Sequence, residues 1–291
     1  MWLVLGGSGQ LGKCISSELK NIGTQHIALN HQELNISDDL DVTKVLEQIR
    51  PSVIVNTAAW TNVDGAEEDE AGAFFANCQG ARNVALAARA CEARLIHVST
   101  DYVFDGEATQ PYEVDSATNP LNAYGRSKLA GEQEVLRIGE GRFSVVRTAW
   151  LYSEHGSNFA KTMTKMALVR EPVRVVADQF GQPTNAHNLA QLIISVAEKK
   201  ECPTIIHGTN SGTASWYEYA REIYKRLGVN EELVSPISTA EFPTKAVRPK
   251  YSVLSNSENA KNGLPTMQNW TASLGGIIDL IRLRVIEEGT N

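Results

Sequence analysis

The chain has 291 residues, of which 42% are apolar and 21% charged, and its formal net charge is −7. This length suffices for one large domain or two modest ones with a real core, and the composition is that of an ordinary globular protein. The acidic balance argues against a general binder of nucleic acid or anionic membranes, whereas a pocket for a small anion needs only a few local cations and backbone amides.

The four cysteines, Cys14, Cys78, Cys91 and Cys202, are scattered without a CxxC pair. They are expected to be reduced, mostly buried thiols of a cytosolic protein. The six histidines show no ligand spacing either, so no metal site is expected. The apolar run after Met1 is too short for a signal peptide or a membrane span, which predicts a cytoplasmic location.

Short β-branched or leucine-rich runs alternate with helix-like stretches through the first half of the chain. The strand candidates are residues 2–6, 26–30, 52–58, 94–100 and 143–149. The helix candidates between them are residues 11–21, 42–49, 71–93 and 127–138. The third and fifth strands are apolar on both faces, as strands of a helix-covered parallel sheet must be. The alternation predicts an α/β fold with a doubly wound, Rossmann-like parallel sheet.

After residue 149 the alternation loosens. Residues 171–185 hold two β-rich fragments around a Gly/Pro turn, and a helix (189–199) and a strand (204–207) could return to the sheet. The amphipathic helix at 214–228 has a Tyr and Ile spacing typical of core packing, and a final helix ends the chain. The sequence predicts a nucleotide-binding domain at 1–150, rejoined by about 184–210, and a smaller C-terminal α/β substrate-binding part at 151–183 and 211–291.

A glycine-rich segment, GGSGQLG, follows the first strand and opens the first helix. Its glycines would make the sharp turn, let the backbone approach a pyrophosphate, and let the helix pack on the strand. The helix N-terminus then offers free N–H groups to the phosphates. In this strand–turn–helix context the segment predicts a dinucleotide site formed by Gly6, Gly9, Gln10, Leu11 and Gly12.

The cofactor preference is left open by the end of the second strand. An acid there would bind the adenosine ribose of NAD, whereas an arginine would favour the extra phosphate of NADP. This chain has Asn30 and His31, which are neither.

The segment LNAYGRSKLAGE places Tyr124 four residues before Lys128, so a helix puts both side chains on one face. Alone, such a pair is a common accident of an amphipathic helix. Ser99 and Thr100, however, end the fourth strand, and doubly wound sheets hold ligands at the carboxyl ends of their strands. Thr100, Tyr124 and Lys128 are therefore expected to converge beside the nicotinamide of a bound nucleotide.

The order of these motifs resembles the extended short-chain dehydrogenase/reductase superfamily and, within it, the dTDP-4-dehydrorhamnose reductases. The segments that carry the resemblance, up to about residue 254, are GGSGQLG, NTAAWTNVDGAEED, STDYVFDG, NPLNAYGRSKLAGE, RTAW, DQFGQPT and RPKYSVL. The resemblance implies NAD(P)H-dependent reduction of the 4-keto group of dTDP-4-dehydro-L-rhamnose to dTDP-L-rhamnose, the last step of dTDP-rhamnose biosynthesis. The implied cofactor is NADPH, with NADH as an alternative.

The resemblance also implies roles for individual residues. Tyr124 would donate a proton to the developing alkoxide, and Thr100 would hydrogen-bond the keto oxygen. Lys128 would hold the nicotinamide ribose and lower the tyrosine pKa, because a cation roughly 5 Å away is worth about two pK units. Further cofactor contacts would come from Asn35, Ile36, Ala59, Trp60 and Thr61, and substrate contacts from Thr100, Asp101, Trp150 and Arg248.

The chain departs from the family pattern at three places. Asn35 replaces a usual Asp near the ribose, which would relax the preference toward NADPH. Cys14 and His187 replace glutamates through which some members share a magnesium ion across a dimer contact; Mg²⁺ prefers oxygen ligands, so no such metal is expected. Tyr251 stands where Asn is frequent, so the substrate contacts there are expected to differ.

Other functions stay open at this point. The related 4,6-dehydratases carry an Asp-Glu pair where this chain has Asp101 and Tyr102, which argues against water elimination. An epimerase or a reductase of another nucleotide-4-ketosugar is compatible with the motifs. So is a non-enzymatic, NADP-binding regulatory subunit like that of methionine adenosyltransferase. The expected partner is a small-molecule nucleotide sugar, without nucleic acid or membrane; a homodimer without a bridging magnesium is compatible.

Overall fold

A computed structural model describes residues 1–201 and 203–289. The strands are β1 (Trp2–Leu5), β2 (His26–Leu29), β3 (Val53–Asn56), β4 (Arg94–Thr100), β5 (Ser144–Thr148), β6 (Leu151–Tyr152), β7 (Val173–Val176), β8 (Phe180–Gly181), β9 (Thr184–Asn185), β10 (Ile205–His207), β11 (Ala214–Ser215) and β12 (Val234–Ile237). The helices are α1 (Gln10–Asn21), α2 (Asp39–Ile49), α3 (Val63–Glu68), α4 (Glu70–Phe74), α5 (Gly80–Ala90), α6 (Ala123–Gly139), α7 (Phe159–Leu168), α8 (Ala186–Glu198), α9 (Trp216–Arg226), α10 (Ser257–Lys261) and α11 (Trp270–Gly289).

Six strands form one parallel sheet in the order β10-β5-β4-β3-β1-β2. The order reverses between β1 and β3, which is the switch point at which doubly wound sheets bind their ligands. The register sets Leu5 beside Asn56 and Thr100 beside Thr148, so the strands deliver their following loops to one edge. The predicted doubly wound parallel sheet is confirmed.

Helices cover both faces of this sheet. On one face α1 and α8 pack together over a core that includes Leu11, Ile15 and Ile193. On the other face α2, α5 and α6 bury a second core, in which Ala85 and Ala88 let α5 approach its neighbours closely. Strands β1 and β3 are buried on both faces, which explains why their sequences are continuous apolar runs.

The predicted helix at 71–93 is wrong in one respect, because it is interrupted. Between α4 and α5, residues Phe75–Gln79 form a π-helical turn. There Asn77 turns its amide away from the helix, accepting a hydrogen bond from the Trp60 N–H and donating to the Trp60 carbonyl and the Ser127 hydroxyl. The widened turn brings this side chain to its partners, a use to which π-bulges are often put at functional sites.

The C-terminal segments build a third core beside the sheet. Helices α7, α9 and α11 enclose an aromatic cluster that includes Tyr152, Tyr219 and Trp270. Three short pairings brace it, β7 with β12, β8 with β11 and β6 with β9, whereas β10 joins the large sheet beside β5. Within the described residues, no helix has the length and apolarity that crossing a membrane requires.

The described cysteines are all free thiols. Cys14 is buried, but Cys78 and Cys91 are only half-buried, so they are less enclosed than expected. Cys202 lies outside the described residues.

Candidate active site

A cavity of about 730 Å³ opens at the carboxyl edge of the sheet. It is lined by the loops after β1, β3, β4 and β5, by the start of α6, and by aromatic residues of α7 and α9. The structure brings together in this lining the predicted site residues Gly6, Gly9, Gln10, Leu11, Asn35, Ile36, Ala59, Trp60, Thr61, Thr100, Asp101, Tyr124, Lys128 and Trp150. Gly12 and Arg248, both among the described residues, lie outside it.

The glycine loop has the tight geometry that its sequence predicts. Gly6 has φ +79°, and a Cβ there would lie 2.7 Å from the Thr57 hydroxyl. A Cβ on Gly12 would lie 2.3 Å from the Gly6 carbonyl oxygen, so Gly12 serves the packing of α1 on the loop. Both positions exclude any larger residue.

The N-terminus of α1 is suited to an anionic group. Its first residue outside the helix, Gly9, offers no side-chain cap, so the first-turn amides are left for another acceptor. By contrast, α2 and α6 are capped by the side chains of Asp38 and Asn122. The free amides point toward the cavity edge where a pyrophosphate would lie, so the loop fits a dinucleotide.

The far end of the cavity is lined by His31, Asn35 and Ile36. The Asn35 side-chain oxygen accepts a hydrogen bond from the Ser37 N–H, 3.1 Å away. Within the described chain, no carboxylate lines this end of the cavity.

Tyr124 and Lys128 lie one turn apart at the start of α6 and both line the cavity, Tyr124 half-buried and Lys128 buried. The Lys128 ammonium donates to the Val98 carbonyl oxygen, 2.7 Å away, and burial lowers the pKa of Lys128 to about 8. Burial likewise raises the pKa of Tyr124 to about 12. Burial is the largest cause of this rise, and the lowering of the Tyr124 pKa by Lys128 stays a prediction.

Thr100 links the phenol to a buried carboxyl group. The Thr100 hydroxyl donates to Asp101 Oδ1, 3.0 Å away, and lies within hydrogen-bonding reach of the Tyr124 phenol. Asp101 is 2% exposed, and burial raises the pKa of its carboxyl to about 6. Thr100 thus lies between the Tyr124 phenol and the Asp101 carboxyl group.

An aromatic wall closes the other side of the cavity. The Trp150 ring stacks on Trp216 with ring centroids 3.5 Å apart and planes 10° apart, and Phe159 packs against Trp216. Trp150 has φ +44°, a rare conformation for a large side chain that marks backbone strain in the cavity wall. Trp216 and Phe159 were not predicted as site residues, because their apolar spacing is that of core packing.

Asn77 also supports the site and was not predicted. Its hydrogen bonds fix the Trp60 backbone, which lines the cavity, against Ser127 of α6. The signal available in the sequence was a polar residue within the predicted helix at 71–93, and the structure buries it to 1% exposure.

Arg248 is engaged elsewhere. Its guanidinium forms an ion pair with Asp64, Nη2 to Oδ2 2.8 Å, and donates to the Ala246 carbonyl oxygen. The substrate contact expected of Arg248 stays a prediction.

Comparison with known proteins places this site in a family. The profile described as the RmlD substrate binding domain matches residues 1–283. The chain belongs to this family. Among the relatives of this chain, a dTDP-4-keto-6-deoxy-D-glucose reductase of Streptomyces niveus is 41% identical to it, with 94% of each chain covered. A dTDP-4-dehydrorhamnose reductase of Mycobacterium tuberculosis is 37% identical, covering 94% of this chain and 90% of the relative.

Solved structures of the RmlD family share the fold over nearly the whole chain. A dTDP-4-dehydrorhamnose reductase from Clostridium acetobutylicum is 39% identical with a TM-score of 0.91, covering 97% of this chain and 99% of that one. The Bacillus anthracis enzyme of the same name, solved in complex with NADP, is 37% identical with a TM-score of 0.91, covering 96% and 98%.

Proposed function

We propose that this protein is a dTDP-4-dehydrorhamnose reductase, which uses NADPH to reduce the 4-keto group of dTDP-4-dehydro-L-rhamnose to dTDP-L-rhamnose. The observation that carries the proposal is the convergence of Thr100, Tyr124 and Lys128 on the cavity that the glycine loop enters. Membership of the RmlD family and the NADP-bound relative support it. NADPH, when bound, supplies the hydride for the reduction.

The residues of the chain would bind the cofactor, orient the substrate and protonate its keto oxygen. The free amides at the start of α1 would hold the pyrophosphate, and Lys128, which lines the cavity, would hold the nicotinamide ribose. The Thr100 hydroxyl would turn from Asp101 and donate its one proton to the keto oxygen, and Tyr124 would transfer its phenolic proton to that oxygen as negative charge develops there. A phenol whose pKa is raised to about 12 stays protonated at neutral pH, which suits a proton donor.

The aromatic wall of Trp150, Phe159 and Trp216 is proposed to pack against the sugar and to exclude water. Asp101, at the same rim, is proposed to bind a sugar hydroxyl. In this proposal Thr100 binds the keto oxygen and Asp101 binds a hydroxyl group of the sugar.

A second candidate substrate follows from the comparisons. The Streptomyces niveus relative acts, by its name, on dTDP-4-keto-6-deoxy-D-glucose and is 41% identical, no more distant than the dehydrorhamnose reductases. This sugar has the same 4-keto group as dTDP-4-dehydro-L-rhamnose and differs from it in ring configuration. Because the reacting group is the same, the same proton donor would serve both sugars.

The test monitors NADPH oxidation through the loss of NADPH absorbance. Each of the two dTDP-4-ketosugars is supplied as substrate by coupled enzymes. We expect faster turnover with dTDP-4-dehydro-L-rhamnose and with NADPH than with NADH, and dTDP-L-rhamnose as the product by mass spectrometry and NMR. Preference for the glucose-derived substrate would reassign the enzyme to the second candidate.

Tyr124→Phe separates catalysis from binding. Removing the proton donor should lower kcat about 10²–10⁴-fold. The affinity for NADPH, measured by fluorescence, should change by less than about threefold. A non-enzymatic, nucleotide-binding subunit would give no turnover in the wild type, and equal rates for both forms would refute the role of Tyr124.

We place the reaction in the cytoplasm, because the described cysteines are free thiols. A homodimer without a bridging magnesium stays a prediction for the assembly, to be measured by light scattering with and without a chelator. Residues 1–150 with about 184–210, and 151–183 with 211–291, are proposed as the two functional parts.

A further inference from the structure

Three potential metal ligands meet outside the cavity, where α1, α8 and the segment after β6 come together. They are the thiol of Cys14, the carboxylate of Glu154 and the imidazole of His187, and one ligand atom from each lies within 4.8 Å of the other two. Cys14 is fully buried and Glu154 is 5% exposed, whereas the His187 side chain is 23% exposed. The cluster is thus enclosed by protein but reachable from solvent through the histidine.

The distances are close to those of a tetrahedral site. His187 Nε2 lies 3.1 Å from Glu154 Oε1, and the Cys14 sulfur lies within 4.8 Å of a ligand atom of each of these residues. With bonds of about 2.0 Å to nitrogen and oxygen and about 2.3 Å to sulfur, ligand atoms around Zn²⁺ are about 3.3–3.8 Å apart. Small side-chain rotations therefore suffice to enclose an ion.

A second, independent contact orients the histidine. Glu18 lies one turn after Cys14 on α1, and its Oε1 is 3.4 Å from His187 Nδ1, the ring nitrogen that faces away from Glu154. A carboxylate on the distal nitrogen fixes the ring orientation and strengthens the other nitrogen as a ligand, as is usual for metal-bound histidines. An ordinary ion pair of His187 with Glu154 alone would not need this second carboxylate.

We propose that Cys14, Glu154 and His187 bind one Zn²⁺-class cation, with Glu18 orienting His187 and a water completing the tetrahedron. This proposal changes the expectation of no metal site, which rested on ligand spacing along the sequence and on the poor fit of Cys14 and His187 to Mg²⁺. A set of one sulfur, one nitrogen and one oxygen, brought together by the fold, suits borderline-soft metals and is unsuited to Mg²⁺. The site connects the helix that carries the glycine loop to the segment that leads into the aromatic wall. Gln10 joins the same segment through its Oε1, which accepts from Asn158 Nδ2 at 2.9 Å.

The test is a Co²⁺ titration of the full-length, chelator-treated protein, because Co²⁺ reports its own coordination. We expect one equivalent to bind with a thiolate charge-transfer band in the near ultraviolet and visible bands of tetrahedral strength, both displaced by Zn²⁺ and unaffected by Mg²⁺. Cys14→Ser should abolish the charge-transfer band, and His187→Ala should abolish stoichiometric binding. Glu18→Gln should weaken the affinity about 10–100-fold and keep the band.

Two matched variants control for unspecific binding. Cys91→Ser removes a half-buried thiol far from the cluster, and His155→Ala removes a histidine whose Nε2 lies 3.1 Å from Glu154 Oε1 without belonging to the mutual set. Both should titrate like the wild type, and circular dichroism checks that every variant is folded. Absence of a charge-transfer band in the wild type, its persistence in Cys14→Ser, or equal loss in His155→Ala would overturn the assignment.

Discussion

Asp101 shows how the fold prepares a single side chain for the site. The carboxyl group sits at the end of β4 with 2% of its surface exposed, and its Oδ1 accepts a hydrogen bond from Thr100. Burial outweighs this bond and raises the carboxyl pKa to about 6. A buried carboxyl at this position therefore costs stability whenever it is ionised.

Replacing Asp101 by Asn should stabilise the protein at neutral pH. In the folded protein the pKa of the Asp101 carboxyl is about 6, above its ordinary value of 3.8, so stability is lost as pH rises from about 4 to about 6 and the full cost remains above that window. A pKa difference of this size corresponds to at most about 3 kcal/mol. Urea unfolding should show the gain of Asp101→Asn at pH 8 and no difference from the wild type near pH 4.

Asp105→Asn is the control with the opposite sign. Asp105 accepts a hydrogen bond from the Tyr112 phenol, 2.6 Å away, and this bond lowers the pKa of the Asp105 carboxyl. Its ionised form is stabilising, so the variant should lose stability at pH 8. If Asp101→Asn also loses stability at pH 8, burial is not what sets the Asp101 pKa.

Gly181 controls the position of the strained Trp150. A Cβ on Gly181 would lie 2.5 Å from the Trp150 ring, against which the strand β8 is packed. Gly181→Ala should displace the ring from its stack on Trp216 and raise the KM for the sugar nucleotide about tenfold, with the KM for NADPH unchanged. Steady-state kinetics with each substrate varied in turn measures this; an equal rise in both values would contradict the assignment of Trp150 to the sugar side.

At the scale of elements, an internal ion pair fastens α6 to the sheet. Glu132, two turns after Tyr124, forms a bidentate pair with Arg147 of β5, at 2.8 Å between Nη2 and Oε2 and 3.0 Å between Nε and Oε1. Both side chains are 3% exposed or less. The pair holds α6, which carries Tyr124 and Lys128, against β5.

Glu132→Gln should destabilise the protein by about 3–5 kcal/mol, because the Arg147 charge would remain buried without its partner. Glu132→Leu combined with Arg147→Met should recover most of that loss, and urea unfolding measures both. Glu134→Gln on the same helix is the control: its partner Arg137 is 62% exposed, so about 1 kcal/mol or less is expected. A loss in Glu132→Gln no larger than the control's would show that the pair is not structural.

Elements of the sheet were predictable from the sequence because each is defined by local apolar patterning. Strand 94–100 has the predicted bounds, and the others differ by one or two residues at the ends. The π-helical turn was not predictable, since nothing local in FANCQ requires it and its cause, the contact of Asn77 with Trp60, spans 17 residues. Helix α6 begins at Ala123 instead of 127 because Asn122 caps it through Gly125.

At the scale of the whole molecule, the site joins two kinds of sequence signal. The glycine loop, Thr100 and the Tyr124–Lys128 pair are short motifs whose spacing carries their geometry, so they were predictable. The aromatic wall comes from three distant segments, at Trp150, Phe159 and Trp216, and only folding places them together. The direction of the Tyr124 pKa shift depends on burial, which a motif does not encode.

Gln10 connects these two halves of the site and should couple their ligands. It follows Gly9 at the start of α1, and its Oε1 accepts hydrogen bonds from Asn158 Nδ2 and Ser153 Oγ, beside the aromatic wall. Binding of NADPH at the glycine loop is therefore expected to order the segment 153–158 and to strengthen binding of the sugar nucleotide. Couplings between two sites of one protein are typically about 5–150-fold.

Gln10→Ala should reduce that coupling to less than about threefold while NADPH still binds. Isothermal titration of dTDP with and without NADP⁺, and of NADP⁺ with and without dTDP, measures the factor in both directions. The two factors must agree within error, because coupling between binding equilibria is reciprocal. Asn188→Ala, which removes an amide that hydrogen-bonds Asn210 and Ser273 outside the cavity, is the control and should keep the wild-type coupling. A Gln10→Ala variant with undiminished coupling would show that the two halves communicate by another route.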